Sequence, residues 1–364
     1  MSLRNYNILI LFLALFLHLS CKSPTSSDDT CASGFLPCND NLNECCPVVC
    51  DQGYHLGGPD STICLPDTSN HQFTWQIHEI GDFSSYARDV AIVSENEIVI
   101  TGRFLDIDQD WWTDYNTATW NGSEWNLSLT TFLSPNEQPT YEPGEGVLAF
   151  NSNNVWHLSY YGSLTHRVED EYILYGFGAN DQRGKREIWG LSNNFIVIAG
   201  DSSIIHHDGV SFQHHIPMTN STVHSLFGTG PNNIWAVTYT KNLIDQFDNQ
   251  LLHFDGQSWN EVYKNQPGFF TTDSISGTVH SVWATGDTVY VPSSSGIWKQ
   301  DLNANGILIR PQELIQNGIE YFNAGLIHGN HFNDYFVGYA DGTLFHYNGE
   351  NWHFYSELNE YAAS

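Results

Sequence analysis

An all-β ring of six four-stranded blades, a β-propeller, is what this sequence predicts, and three observations predict it. The nine residues LLHFDGQSW at 251–259 recur as LFHYNGENW at 344–352, with weaker copies NTATWNGSEW (116–125), SLTHRVEDEY (163–172) and IIHHDGVSF (204–212). A second series of short apolar runs bounded by Asn, Asp or Gly accompanies them: NEIVITG (96–102), NNVWHLS (153–159), NNFIVIAG (193–200), NNIWAVT (232–238), DTVYVPS (287–293) and NDYFVGY (333–339). An aromatic residue recurs after the turn of the first phrase, as Trp125, Tyr172, Phe212, Trp259 and Trp352, and is missing from the fifth unit. Units of about 40 to 50 residues, each holding four short strands, have the size of a propeller blade.

The chain of 364 residues is 41% hydrophobic and 14% aromatic, enough for one large repeat domain with a small appendage. Arg4 and the apolar run ILILFLALFLHL at 8–19 form a short hydrophobic core, too short to span a bilayer stably, which ends at Ser20 and Cys21. This layout resembles the signal peptide of a bacterial lipoprotein, and the resemblance implies cleavage after residue 20 and acylation of Cys21, with the lipid bilayer as partner. It departs from the family pattern at His18, where Leu is usual. Residues 21–30, CKSPTSSDDT, have the composition of a tether, and Lys22 supplies no Asp-type retention signal, so the expected location is the outer membrane, facing periplasm or cell surface.

The six other cysteines, Cys31, Cys38, Cys45, Cys46, Cys50 and Cys64, all fall within residues 31–66 and none follows. That density predicts a disulfide-stapled module in an oxidising compartment, with fifteen connectivities open. Residues 50–64 are similar to the second half of small extracellular modules of the EGF or sushi type.

The repeat domain is expected over 71–364, with first strands beginning near Asp89, Gly146, Glu187, Val223, Val279 and Asn323. In the unit at 223–263, VHSLF, IWAVT, LLHF and SWNEVY supply the four strands, and an Asp-Gly pair supplies the tight turn before the last. Trp75, in HQFTWQIHEI, reads as one more strand ahead of the first blade; it either clasps the ring beside the C-terminal strand or belongs to a partial seventh blade, which makes seven blades the alternative. From Thr68 onward, FTWQIHEIGDFSSYARDVAIVSENEIVITG leading into WNGSEW resembles an uncharacterised family of bacterial lipoproteins with propeller-type repeats, over about residues 68–358. The resemblance implies fold and anchoring, and no activity.

Net charge is −29, from 12 Lys+Arg against 41 Asp+Glu, with no basic stripe, which excludes nucleic acid as a partner. His166, His206, His253 and His346 align at one third-strand position, as repeated structural hydrogen bonds would. Asp106, Asp108, Asp110 and Asp114 match oxygen-ligand positions of a calcium loop, but Trp111 replaces the turn Gly and Thr117 the bidentate Glu. A looser Ca²⁺ site is the one cofactor the sequence suggests. Sialidase chemistry is disfavoured, because Asp and Gly are adjacent in the repeat and few Arg are present to hold a sugar carboxylate.

First-strand residues able to face the central channel, Arg88, Glu145, Arg186, Glu187, His224, His280 and His328, vary irregularly between units, and Trp111 and Trp112 offer stacking surfaces. The expected function is therefore binding or scaffolding at the envelope, of a glycan or a protein, by a monomer, without a catalytic residue. The alternative is a propeller-fold carbohydrate hydrolase or lyase.

Overall fold

The computed structural model describes residues 69–358 apart from 107–112, 177–183, 216–220, 242–246, 266–274, 276–278, 311–324, 340–341 and positions 135, 170 and 202, together with the backbone of four strands between 35 and 66. The signal segment, Cys21 and the tether lie outside the described residues, as do Cys31 and Cys50 and the side chains of the other four module cysteines. In that module β1 (Phe35–Cys38) pairs antiparallel with β2 (Asn41–Pro47), and β3 (Tyr54–Gly57) with β4 (Ile63–Pro66).

Six four-stranded antiparallel sheets follow, each in simple meander order. Blade 1 comprises β5 (Tyr86–Ser94), β6 (Glu97–Asp106), β7 (Thr113–Trp120) and β8 (Trp125–Ser128). After a small ladder of β9 (Phe132–Leu133) and β10 (Pro139–Thr140), blade 2 comprises β11 (Gly144–Asn151), β12 (Asn154–Ser159), β13 (Leu164–Val168) and β14 (Glu171–Tyr175). Blade 3 is β15 (Lys185–Ser192), β16 (Phe195–Gly200), β17 (Ser203–His207) and β18 (Phe212–His215). Blade 4 is β19 (Thr222–Gly230), β20 (Asn233–Lys241), β21 (Phe247–Phe254) and β22 (Trp259–Lys264). Blade 5 is β23 (Trp283–Thr285), β24 (Thr288–Ser293), β25 (Gly296–Asp301) and β26 (Ile307–Ile309). Blade 6 is β27 (Leu326–His331), β28 (Asp334–Gly338), β29 (Leu344–Tyr347) and β30 (Trp352–Phe354). The first strands of successive blades lie side by side, β5 to β11, β15, β19, β23 and β27 in turn, and so line the centre of the ring.

Second strands read as near-continuous apolar runs because both faces of an inner strand meet neighbouring blades. Ile196, Val197 and Ile198 of β16 show how this works: all three are fully buried, Ile196 and Ile198 in the cluster shared with blade 2 and Val197 in the cluster shared with blade 4. Each such side chain contributes about 1.5–3 kcal/mol on leaving water. Equivalent clusters join blade 1 to 2 through Val99, Val147 and Val155, blade 4 to 5 through Trp235 and Val282, and blade 5 to 6 through Tyr290 and Ile327.

The repeated phrase is structural. Gly122, Gly209, Gly256 and Gly349 adopt φ of 90°, 88°, 91° and 97°, the region that glycine enters without steric cost. The residue before each one caps the turn. Asp208 Oδ1 accepts the N–H groups of Val210 and Ser211 at 2.9 and 2.7 Å, Asp255 Oδ1 those of Gln257 and Ser258, and Asn121 and Asn348 do the same in blades 1 and 6. These backbone donors hold the Asp208 and Asp255 carboxyls below their ordinary range.

The aligned histidines also have a common role. His166, His253 and His346 meet Asn154, Asn233 and Asp334 through Nε2 at 2.8, 2.9 and 2.8 Å, tying the third strand to the start of the second. In blade 3 Phe195 occupies the position of that Asn or Asp. There His206 Nε2 accepts the Trp259 indole N–H of blade 4 instead, at 3.2 Å. The fourth-strand aromatic series holds with one correction. Tyr172 pairs opposite Arg167 as expected but is 49% exposed, and Tyr175 stacks on Trp156 in its place, at 5.7 Å.

Within 69–80 no residue belongs to a strand, and apart from an isolated β-bridge at His78 the segment works as a side-chain strap. Its first half covers blade 6: Phe73 and Trp75 pack with Phe336, Leu344, Tyr355 and Leu358. The Asn348 amide donates to the Ser69 carbonyl, and the Tyr355 hydroxyl to the His71 carbonyl, both at 3.0 Å. Its second half reaches blade 1, where Ile80 packs with Ile98, Ile100, Phe104 and Ala118. The seam between last and first blades is thus filled by one extended segment, and the ring has six blades.

Candidate functional site at the channel mouth

The first strands of blades 1 to 4 start with an irregularity of the ladder. Pairing skips one residue between Ala87 and Asp89, between Gly144 and Gly146, between Lys185 and Glu187, and between Val223 and Ser225. The skipped residues are Arg88, Glu145, Arg186 and His224. A bulge leaves its extra residue without a ladder partner and re-aims the side chain, and such bulges gather at rims and binding sites. His280 occupies the corresponding place in blade 5, because Ser281 after it hydrogen-bonds to the next blade just as Ser225 does.

In blades 1, 3 and 4 the residue after the bulge latches one blade to the next, and Ser281 does the same in blade 5. Asp89 Oδ2 accepts the Val147 N–H at 2.8 Å, Ser225 Oγ the Val282 N–H and Ser281 Oγ the Ile327 N–H, both at 3.2 Å, and the Leu226 N–H donates to Glu187. Blade 2 carries Gly146 there, where an added Cβ would lie 3.0 Å from Ile188. Glu187, expected as a ligand-facing residue, therefore shares a position with two serines and an aspartate that join blades.

The five bulge-position side chains form a mixed-charge cluster. The Arg88 Nε lies 3.5 Å from Glu145 Oε1, an ion pair too poorly aligned to count as a hydrogen bond, and its guanidinium covers the Tyr86 ring at 4.7 Å. Burial raises the Glu145 pKa, and the nearby Arg88 and Arg186 oppose that rise. His224 stacks on Tyr239 at 3.9 Å and meets the edge of His280 at 5.9 Å. Burial, then Arg186 and His280, lower the His224 pKa to about 3; burial and then Arg186 lower that of His280. Burial carries Asp89 up to about 6, and burial with the charges of Asp89 and Glu145 holds Glu187 well above the ordinary carboxyl range. The mouth thus presents two guanidinium groups, a carboxyl that burial shifts toward its neutral form and the two arginines shift back, and two imidazoles that burial shifts toward theirs.

His328 lies elsewhere. It is two residues past the latch position, in register with Ala91, Leu148, Trp189, Phe227 and Trp283, and its ring meets Phe227 of blade 4 edge-on at 5.9 Å. Of the acidic set, Asp106 ends β6 and Asp114 lies on β7 with its carboxylate 2.8 Å from Arg103; Asp108, Asp110, Trp111 and Trp112 lie outside the described residues. Among the described residues no group of three or more His, Cys, Asp or Glu is placed to hold a metal ion. Sequence reading missed Asp89 and Tyr239. The signal for Asp89 was a polar residue directly before the first apolar residue of the inner strand, repeated as Ser225 and Ser281.

Fold and site together define a β-propeller whose channel mouth carries a variable, mixed-charge set of side chains. In solved structures the chain is similar to YCF48 bound to D1 peptide, with a TM-score of 0.56 and 12% identity over 77% of this chain and 85% of that one. It is also similar to YCF48 from Cyanidioschyzon merolae, with a TM-score of 0.50 and 10% identity over 76% and 86% of the two chains. At these identities the likeness is one of fold. No protein-family model matches the chain, and no curated protein matches it.

Proposed function

We propose that this protein is a lipid-anchored binding protein of the cell envelope, which holds a segment of a partner protein at the mouth of its channel. The observation that carries the reading is the contrast between neighbouring positions of the inner strands. The latch residues repeat one task, whereas the bulge residues Arg88, Glu145, Arg186 and His224, and His280 at the matching place in blade 5, differ from blade to blade. A repeated frame with a variable rim is how a symmetric scaffold makes one specific site. The two guanidinium groups suit acidic side chains or a chain terminus, and the His224–Tyr239 stack suits an apolar one. A polypeptide supplies both. Binding of a peptide is also what one structurally similar propeller was solved doing.

Carbohydrate hydrolysis is the weaker reading. It needs two carboxyl groups free to exchange protons with substrate, and Asp89 and Glu187 already accept backbone N–H groups between blades. The anchor rests on Arg4, the apolar run 8–19, Cys21 and the tether after it, in a chain resembling envelope lipoproteins.

A photo-crosslinking residue at position 186, introduced in cells that make the protein, tests the ligand. A discrete protein adduct is expected, reduced at least about tenfold by Arg88→Ala or His224→Ala; adducts indifferent to both substitutions sink the proposal. Cys21→Ser is expected to move the protein from the membrane to the soluble fraction, and persistence at the membrane removes the lipid anchor from the reading.

A further inference from the structure

Away from the channel, a cavity of about 270 Å³ opens between the strap and the outer part of blade 1. Its floor is aromatic. Trp120 and Trp125, paired across the β7–β8 turn, have centroids 5.5 Å apart at 44°, and His78 of the strap stands edge-on to Trp120 at 4.8 Å and to Trp125 at 6.0 Å. Its rim is polar, with exposed Gln76, Glu95 and Asn96.

In two other blades the equivalent space is filled. The pair equivalent to Trp120 and Trp125 is Phe254 and Trp259 in blade 4, and Tyr347 and Trp352 in blade 6. In blade 4, blade 3 fills the space: His206 lies 4.6 Å from Phe254 and accepts the Trp259 N–H, and His215 lies 6.4 Å from Phe254. In blade 6 the aromatic pair packs into the cluster shared with blade 5, beside Ile309. Blade 1 has only the single strap before it. One imidazole stands where two strands of a preceding blade would be, and the buried Trp125 indole N–H has no hydrogen-bond partner.

We infer that this cavity binds a single neutral hexopyranose ring. Its volume lies just under the roughly 300–1,000 Å³ of ordinary ligand sites, which suits one sugar ring rather than a larger ligand. Two indoles and an imidazole at steep mutual angles offer negative π faces to the C–H face of a pyranose, and the amide and carboxylate groups of the rim match its hydroxyls. Among the described residues that line it there is no Lys or Arg, which disfavours a sialic or uronic acid. The site is independent of the channel mouth, and the two stand or fall separately.

Saturation-transfer NMR on the full-length protein, with the methyl glycosides of glucose, galactose, mannose and N-acetylglucosamine as probes, tests the inference. Transfer to the ring C–H protons of at least one glycoside is expected. His78→Ala should weaken that binding at least about tenfold, and the exposed-rim double variant Gln76→Ala/Glu95→Ala at least about threefold. The control Val210→Ala, at a side chain 92% exposed, should leave it unchanged. Circular dichroism checks that each variant is folded, and the rim variant decides the matter if His78→Ala is not. Absence of transfer to all four glycosides overturns the inference, as does binding that survives the rim substitution in folded protein.

Discussion

If the strap closes the ring, cutting its aromatic anchors should destabilise the whole domain rather than fray one end. Phe73 and Trp75 are half-buried and touch each other at 5.9 Å; Phe73 also meets Phe336 at 5.1 Å and His346 at 5.0 Å, and Trp75 meets Tyr355 at 4.9 Å. Full truncation of a buried Phe or Trp to Ala costs about 3–5 kcal/mol, and partial exposure puts each of these near the lower limit, about 3 kcal/mol. The two share partners, so their costs do not add, and Phe73→Ala/Trp75→Ala should lose about 5 kcal/mol. The polar ties survive the substitutions: Ser69 Oγ to Asp334 at 2.7 Å, Asn348 to the Ser69 carbonyl, and Tyr355 to the His71 carbonyl. They limit the loss. For a domain of this size about 1 kcal/mol corresponds to about 2 °C, so Tm should fall by about 10 °C. Thermal and urea unfolding followed by circular dichroism measure this, with Val210→Ala as a control expected within about 0.5 kcal/mol of the parent. A double variant that melts with the control refutes the clasp.

Gly256→Ala should cost more than about 1 kcal/mol, because φ there is 91° and the new Cβ would lie 2.2 Å from Asn232 Oδ1; urea midpoints of the two proteins decide it. Asp89, raised from its ordinary value to about 6, binds its proton more tightly folded than unfolded. Its contribution is therefore fully present below pH 4 and falls by about 3 kcal/mol as pH rises to about 6. Asp89→Ser, which copies the latch of blades 4 and 5, should flatten Tm between pH 4 and 6, and parallel curves for the two proteins count against the assignment. Buried His157, His166 and His206, lowered to about 3, 4 and 4, act with opposite sign: stability is present above pH 6.5 and is lost as pH falls toward 4. Replacing His206 by Phe should remove part of that acid loss in the same titration. His346→Phe keeps an aromatic ring at a fully buried site but enlarges it and strips a hydrogen-bond partner from Asp334, and should cost at least about 2–3 kcal/mol by urea denaturation.

Periodicity in the chain already gave six repeated units, second-strand positions and turns, because each depends on neighbours in sequence: alternating apolar residues, an Asn or Asp beside a Gly, an aromatic after it. The repeated His was legible as structural for the same reason, since a residue kept at one register in every unit answers to a demand every unit makes. Tyr172 escaped because blade 2 lacks the Asx-Gly turn that sets the aromatic inward, and Tyr175 took its place. The channel mouth could be named only as a set of irregular residues. Which of them meet depends on a ladder skip at the head of four first strands, set by pairing with the next strand, and on how six blades close into a circle, which arises from contacts such as Asp89–Val147 and Ser225–Val282 between residues far apart in sequence. Tertiary structure alone therefore separated Glu187, bound to the next blade, from Arg186 beside it, and set His328, exposed, against Phe227 two blades away. It also decided that the seam would be closed by one strap in place of a seventh blade, since the gap a blade must fill exists only once the first and last blades have been brought together.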